Sequence, residues 1–233
     1  MFSSKRLLLH LSLAMLSLPV AAVATTVRMD TPFGPIYIEL FDNVAPETVA
    51  NFLNYVNDGD YDDSFIHRSV PRFVVQGGEF VWKGNAVVGI PQDPPVENEF
   101  EIPNFRGTIA MAKRGDDPDS ATSSWFINLR NNTDPLDTQN DGFTVFGKVL
   151  GNGMVIVDFI ATLPIFSAGG AFGAIPLVNY FGLGVVLPDN VVTTNIEIDS
   201  DDNAPPPAGT DAAFVVTNFL LDEDSQQESN NGN

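Results

Sequence analysis

Between Phe65 and Val149 the chain breaks into short runs rich in β-branched and aromatic residues, among them Phe73 to Gln76, Gly107 to Ala112, Trp125 to Leu129 and Thr144 to Val149. Clusters of Gly, Pro, Asn and Asp separate these runs. Many short strands joined by turns predict a closed barrel or a sandwich. Upstream, Val27 and Met29 alternate with Arg28 and Asp30, and Ile36, Ile38 and Leu40 alternate with Tyr37 and Glu39. With Thr31-Pro32-Phe33-Gly34-Pro35 between them, the two runs read as a hairpin. Pro46 suits a first helical position, and Val49, Phe52, Leu53 and Val56 follow at helical spacing until Asn57-Asp58-Gly59 supplies a stop. A second helix is expected from Met154 to Leu163, between Gly151-Asn152-Gly153 and Pro164. The Val- and Thr-rich run from Asn190 to Ile198 is expected to be the final strand.

The ends of the chain differ from its middle. Lys5-Arg6, an apolar run from Leu7 to Val20 and the small-x-small motif Ala22-Val23-Ala24 have the plan of a secretory signal, so residues 1–24 are set apart from the fold and cleavage is expected before Thr25. Residues 25–198 then form the domain, and 199–233 an acidic, largely disordered tail. Within that tail Phe214 to Leu221 is too apolar for a plain solvated segment, and is expected to dock on the domain or on a partner. Residues 159–188 carry no charge, but their prolines and glycines break any spanning helix, and no Lys or Arg flanks them to set an orientation. They are read as a packed loop, leaving no membrane span after signal cleavage.

Composition narrows the chemistry. The chain has no cysteine, which removes thiol catalysis, Cys-ligated metals and disulfides. Of its two histidines, His10 lies in the leader, so His67 alone remains and sites built of several imidazoles are excluded. Thirty acidic residues against eleven basic ones give a net charge of −19, which repels nucleic-acid phosphates and anionic lipid. No nucleic-acid partner is expected.

The most specific stretch is Phe65-x-His67-Arg68-x-x-Pro71-x-Phe73-x-x-Gln76-Gly77-Gly78. It is supported by Gly107-Thr108-Ile109-Ala110-Met111-Ala112, Ser120-Ala121-Thr122-Ser123, Phe126-Ile127-Asn128 and Val145-Phe146-Gly147-Lys148-Val149. In this order the motifs resemble the cyclophilin family of peptidyl-prolyl cis/trans isomerases, over roughly residues 25–198. The resemblance implies an all-β dominated fold, a closed eight-stranded antiparallel β-barrel capped by two α-helices, with the active groove on its outer face. It implies Arg68 as the catalytic arginine and Gln76 as the polar residue that helps hold it and the substrate carbonyl. It further implies Phe73, Val74, Phe126 and Leu136 as the proline pocket, Ala112 and Lys113 as the stretch whose backbone binds the peptide, and Phe143 as another wall. Ser124 stands where most members carry Gln, so that contact to the peptide or to Arg68 is shortened.

Such a site fits what prolyl isomerisation needs. The barrier of roughly 18–20 kcal/mol arises from C–N double-bond character, and no bond has to break. An apolar slot for the ring, polar anchors for the neighbouring carbonyl and a cation near the proline nitrogen favour the twisted amide. No metal, nucleotide or organic cofactor is required. The expected function is isomerisation of X-Pro bonds in proline-containing, unfolded or partly folded polypeptides during folding of secreted or envelope proteins, by a monomer in the periplasm. The alternative is a catalytically weak peptide-binding module or chaperone on the same fold.

Overall fold

The computed structural model describes residues 24–200; the expected leader up to Val23 and the tail from residue 201, with its Phe214 to Leu221 segment, lie outside the described residues. In chain order the strands are β1 (Thr26–Thr31), β2 (Gly34–Leu40), β3 (Ser64–Phe65), β4 (Arg68–Val70), β5 (Val74–Gly77), β6 (Phe80–Lys83) and β7 (Ala86–Gly89). They continue with β8 (Thr108–Met111), β9 (Trp125–Asn128), β10 (Val145–Val149), β11 (Ile165–Phe166), β12 (Ile175–Pro176) and β13 (Thr193–Ile198). Helix α1 (Pro46–Asn57) follows β2, the single turn α2 (Thr133–Leu136) follows β9, and α3 (Gly153–Ile160) follows β10.

The hairpin is present, with Val27 opposite Ile38 and Met29 opposite Ile36 in an antiparallel β1–β2 pair. Helix α1 starts at Pro46 and buries Val49, Phe52, Tyr55 and Val56. The Phe52 ring meets Phe146 and Tyr61 at centroid distances of 5.0 and 5.3 Å. Burial of a side chain of that size stabilises by about 1.5–3 kcal/mol, so the helix is held by its packed face more than by its own propensity. Helix α3 is shorter than expected, ending at Ile160. There Thr162 Oγ1 donates to the Phe159 carbonyl at 2.6 Å, turning the chain before Pro164.

Eleven strands among the described residues form one sheet in the order β4-β5-β9-β8-β10-β2-β1-β13-β3-β6-β7. This ladder is open, where a closed barrel of eight strands is the expectation. The stretch from Ser64 to Val70 is interrupted at Ile66-His67. Ile66 N–H donates to the Val192 carbonyl at 2.9 Å, on the β13 side, and His67 N–H to Gln76 of β5 at 3.1 Å. The stretch therefore counts as two strands with different neighbours, and the β6–β7 hairpin adds a further pair at one end. The final strand begins at Thr193 rather than Asn190, because Pro188 to Asn190 coil into a 3-10 turn. There Leu187 N–H donates to Asn190 Oδ1 at 2.9 Å.

Side chains alternate across the sheet. Val75, Ile109, Met111, Trp125 and Ile127 point into the main core with Met29, Ile36, Ile38, Phe52 and Phe146. Val74, Ala110, Phe126 and Val145 point to the other face, where they form a separate apolar cluster. The uncharged stretch is partly packed, as Ile175 and Leu177 are buried against Phe65 and Val191. Beyond them Phe181, Leu183 and Val185 are exposed. No helix of the described residues is long and apolar enough to cross a membrane.

Candidate active site

Strand register assembles the site from positions far apart in sequence. Arg68 of β4 lies opposite Gln76 of β5, Gln76 opposite Phe126 of β9, Phe126 opposite Ala110 of β8, and Ala110 opposite Val145 of β10. Because directly opposed residues share a face, these five form one row across the outer surface of the sheet. The polar end of the row is a chain of hydrogen bonds. Arg68 Nη1 donates to Gln76 Oε1 at 3.1 Å, Gln76 Nε2 donates to Ser124 Oγ at 3.3 Å, and Ser124 Oγ donates to the Gly77 carbonyl at 3.3 Å. Partial burial pulls the Arg68 guanidinium below its ordinary pKa, yet a guanidinium remains charged at any physiological pH. Gln76 fixes it in one plane.

The apolar end holds six of the expected residues together. Val74, Phe126 and Leu136 are buried in one cluster, with Phe73, Ala112 and Phe143 half-buried against it. Phe126 and Phe143 meet edge to face, 5.8 Å between centroids. Leu136 reaches this cluster from α2, and its carbonyl accepts the Phe143 N–H at 3.0 Å. Ala112 N–H donates to the Ser124 carbonyl at 2.8 Å, so that backbone donor is already engaged. Lys113 turns its Nζ over the Phe143 ring at 5.1 Å and donates to the Asn140 and Gly142 carbonyls, which fixes it along the pocket wall. Beside Gln76, Ala112, Lys113 and Ser124 runs a cleft of about 590 Å³ that Glu79 and Asp93 also line. All ten expected site residues thus fall on or around one surface. Arg68, Gln76 and Ser124 make its polar edge, and the aromatic cluster makes its floor.

Three asparagines whose role sequence reasoning missed hold this floor in place. Asn104, Asn128 and Asn132 are fully buried. Asn132 Nδ2 donates to the Asn128 Oδ1 and to the Phe73 carbonyl, both at 2.8 Å. Asn128 Nδ2 donates to Asn104 Oδ1 at 3.1 Å, and Asn104 Nδ2 donates to the Phe143 carbonyl at 3.1 Å. The network ties the backbones of two pocket walls, Phe73 and Phe143, into one unit. Its signal in the sequence is only that asparagine is an uncommon buried residue, and burial is settled by the fold.

His67, next to the arginine, is buried with Nε2 3.4 Å from Glu79 Oε2. Burial, followed by the Arg68 charge, lowers its pKa from 6.5 to about 4. At neutral pH the contact is therefore between a neutral imidazole and a carboxylate, not an ion pair. The sign for stability follows: between the two values the unfolded chain binds a proton that the folded chain refuses, so stability is full above pH 6.5 and declines as pH falls toward 4. The loss amounts to about 3 kcal/mol if His67 acts alone. Burial raises the Glu79 pKa, and that opposes part of this loss. Urea unfolding at pH 7 and pH 4 is expected to give a smaller difference for His67→Gln than for the unchanged protein; equal differences would contradict the assignment. Among the described residues no group of three or more His, Asp or Glu side chains is placed to hold a metal ion.

Residues 26–175 match the family described as Cyclophilin type peptidyl-prolyl cis-trans isomerase/CLD. A peptidyl-prolyl cis-trans isomerase of Acinetobacter baylyi is 42% identical over 149 residues, covering 62% of this chain and 76% of that one. Peptidyl-prolyl cis-trans isomerase B of Escherichia coli is 40% identical over 144 residues, covering 58% of this chain and 82% of that one. A crystal structure of a Cryptosporidium parvum cyclophilin type peptidyl-prolyl cis-trans isomerase in the presence of the dipeptide Ala-Pro has the same fold at 21% identity. Its TM-score is 0.54, covering 76% of this chain and 99% of that one.

Proposed function

The chain belongs to the cyclophilin-type peptidyl-prolyl cis-trans isomerase family and is an isomerase of X-Pro bonds, and we propose that Arg68, presented over the Phe126 cluster by Gln76, is the group that carries the reaction. The observation that supports this reading most is the cross-strand row from Arg68 through Gln76 to Phe126. A proline ring seated against Phe73, Val74, Phe126, Leu136 and Phe143 fixes one side of the imide. Polar groups around Gln76, Ala112, Lys113 and Ser124 hold the peptide on the other side. As the C–N bond twists, the nitrogen lone pair localises, and the guanidinium donates to it at the point where planarity is lost. Every tenfold of acceleration needs only about 1.4 kcal/mol of preference for the twisted form.

The substrates in this reading are exposed proline-containing segments of secreted or envelope proteins in the periplasm, where unaided isomerisation takes tens to hundreds of seconds and limits folding. The leader motif at residues 1–24 supports it. We also read the open ladder as a barrel interrupted at Ile66-His67. The support is that β3 and β4, which pair at opposite ends of the seven-strand run from β5 to β13, belong to one continuous stretch of chain that would be the eighth strand.

Exchange spectroscopy by NMR on an Ala-Pro peptide distinguishes an isomerase from a peptide-holding module. Substoichiometric protein is expected to produce cis–trans exchange cross-peaks with kinetics far faster than the free peptide. Line broadening from binding with no gain in exchange would assign the module instead.

A further inference from the structure

Thr25 directly precedes β1, and all its polar groups are engaged. Its backbone N–H donates to Asp42 Oδ2 at 2.9 Å, and its hydroxyl donates to Asp42 Oδ1 at 2.8 Å. Its carbonyl accepts the Leu40 N–H at 2.8 Å. Both oxygens of one carboxylate, just beyond the end of β2, are thus turned onto a single residue. An amide nitrogen offers that carboxylate one neutral donor, whereas an α-ammonium would offer three donors and a full positive charge. Ala24, on the other side of the bond, is exposed, and it ends the small-x-small motif Ala22-Val23-Ala24.

We propose that Asp42 is a receptor for a free α-ammonium on Thr25, created when the chain is cut between Ala24 and Thr25. This rests on the reading of the chain as exported. The cut is a hydrolysis by a leader peptidase of small-x-small specificity. Water adds across the amide, the C–N bond breaks, Ala24 departs with the leader as a carboxylate, and the Thr25 nitrogen becomes an amine that is protonated at neutral pH. The contact to Asp42 then changes from a hydrogen bond donated by a neutral amide into an ion pair between an ammonium and a carboxylate, adding a Coulomb attraction that the amide lacks. Among the charged groups on neighbouring elements, Asp42 is the one placed on the Thr25 nitrogen. Glu39 lies opposite Thr26 on β2 and is paired with Lys148 at 3.0 Å, and Asp199 donates its backbone N–H to the Thr26 carbonyl at 2.9 Å. Arg28 is occupied by Asp30 and Glu197. The docked terminus ties the start of β1 to the connection between β2 and α1, and processing thereby strengthens the folded state. The linkage sign is that of a raised amine: the gain is full below the unfolded α-amino pKa of about 8 and is lost as pH rises through the higher folded value.

The test uses the full chain with its own leader, produced in a bacterial host and purified from each compartment. Terminal sequencing and intact mass are expected to show a mature periplasmic protein starting at Thr25. An NMR titration of its α-amine is expected to give a pKa above the ordinary value of about 8, brought back toward it by Asp42→Asn. An uncut chain held in the cytosol would overturn the export reading and this proposal together. A periplasmic chain starting at another residue would leave no α-ammonium on Thr25 and overturn this proposal while the export reading stands. A Thr25 terminus whose amine titrates at or below about 8 in the unchanged protein would overturn the receptor, whatever the behaviour of the variant.

Discussion

Arg68→Ala is expected to lower kcat/KM for an X-Pro peptide by about two to three orders of magnitude, the scale of losing one preorganised donor aimed at a transition state. Its folding should hardly change. The side chain is half-buried and hydrogen-bonds to Gln76 at 3.1 Å, a contact of about 0.5–1.5 kcal/mol net. The main packing of this region lies elsewhere, in Val74, Val75, Trp125 and Phe126. A melting temperature within a few degrees of the unchanged protein, beside a collapsed protease-coupled rate, is the expected pair of results. Arg68→Lys should fall between the two, since it keeps the charge but loses the planar fork that Gln76 aligns. A rate within threefold of the unchanged protein for Arg68→Ala would remove the arginine from the chemistry.

Gly78→Ala is expected to cost about 2–6 kcal/mol in urea unfolding, summed from backbone strain and overpacking. Gly78 has φ +74°, and a Cβ there would lie 2.5 Å from the Trp125 Cδ1 and Nε1 atoms and 2.7 Å from the Ser123 carbonyl oxygen. Neither neighbour can retreat. Trp125 is fully buried, and the Ser123 carbonyl accepts the Tyr61 hydroxyl at 2.7 Å. Because Ser123 and Trp125 flank Ser124, the clash should also disturb the anchor of Gln76. Gly84→Ala is the control: its φ of +61° is similar, but nothing stands within 4 Å of the added carbon. It should cost only the left-handed backbone penalty of roughly 1–2 kcal/mol. Equal losses at the two positions would show that backbone conformation, not the indole, dictates Gly78.

These two residues show what the sequence could and could not convey. The first hairpin was legible from its period-two pattern, because β1 and β2 each bury one face: β2 alternates Ile36, Ile38 and Leu40 inward. Helix α1 was legible because proline, helical spacing and a stop signal agreed. The site was another matter. Positions 68, 76 and 126 are brought into one row by the register of β4, β5 and β9, and no local spacing encodes that. Only the resemblance to a known family joined them beforehand. The break at Ile66-His67 was invisible for a related reason. It comes from a change of pairing partner, and nothing in Phe65-Ile66-His67-Arg68 interrupts a strand pattern. β13 starts later than its Val- and Thr-rich run because Asn190 belongs to a 3-10 turn that its own side chain closes. The asparagine network stayed hidden because a polar residue reveals a buried role only once its neighbours are known.

The central claim is that Arg68 holds the twisted imide better than either planar isomer. It is tested most directly by measuring, on one Ala-Pro peptide, both the Kd and the exchange rate at saturation for the unchanged protein and for Arg68→Ala. The expected result is a Kd changed by no more than a few-fold with exchange on the bound peptide reduced about a hundredfold or more. A Kd weakened as much as the rate, with exchange at saturation unchanged, would make Arg68 a ground-state anchor and contradict the account.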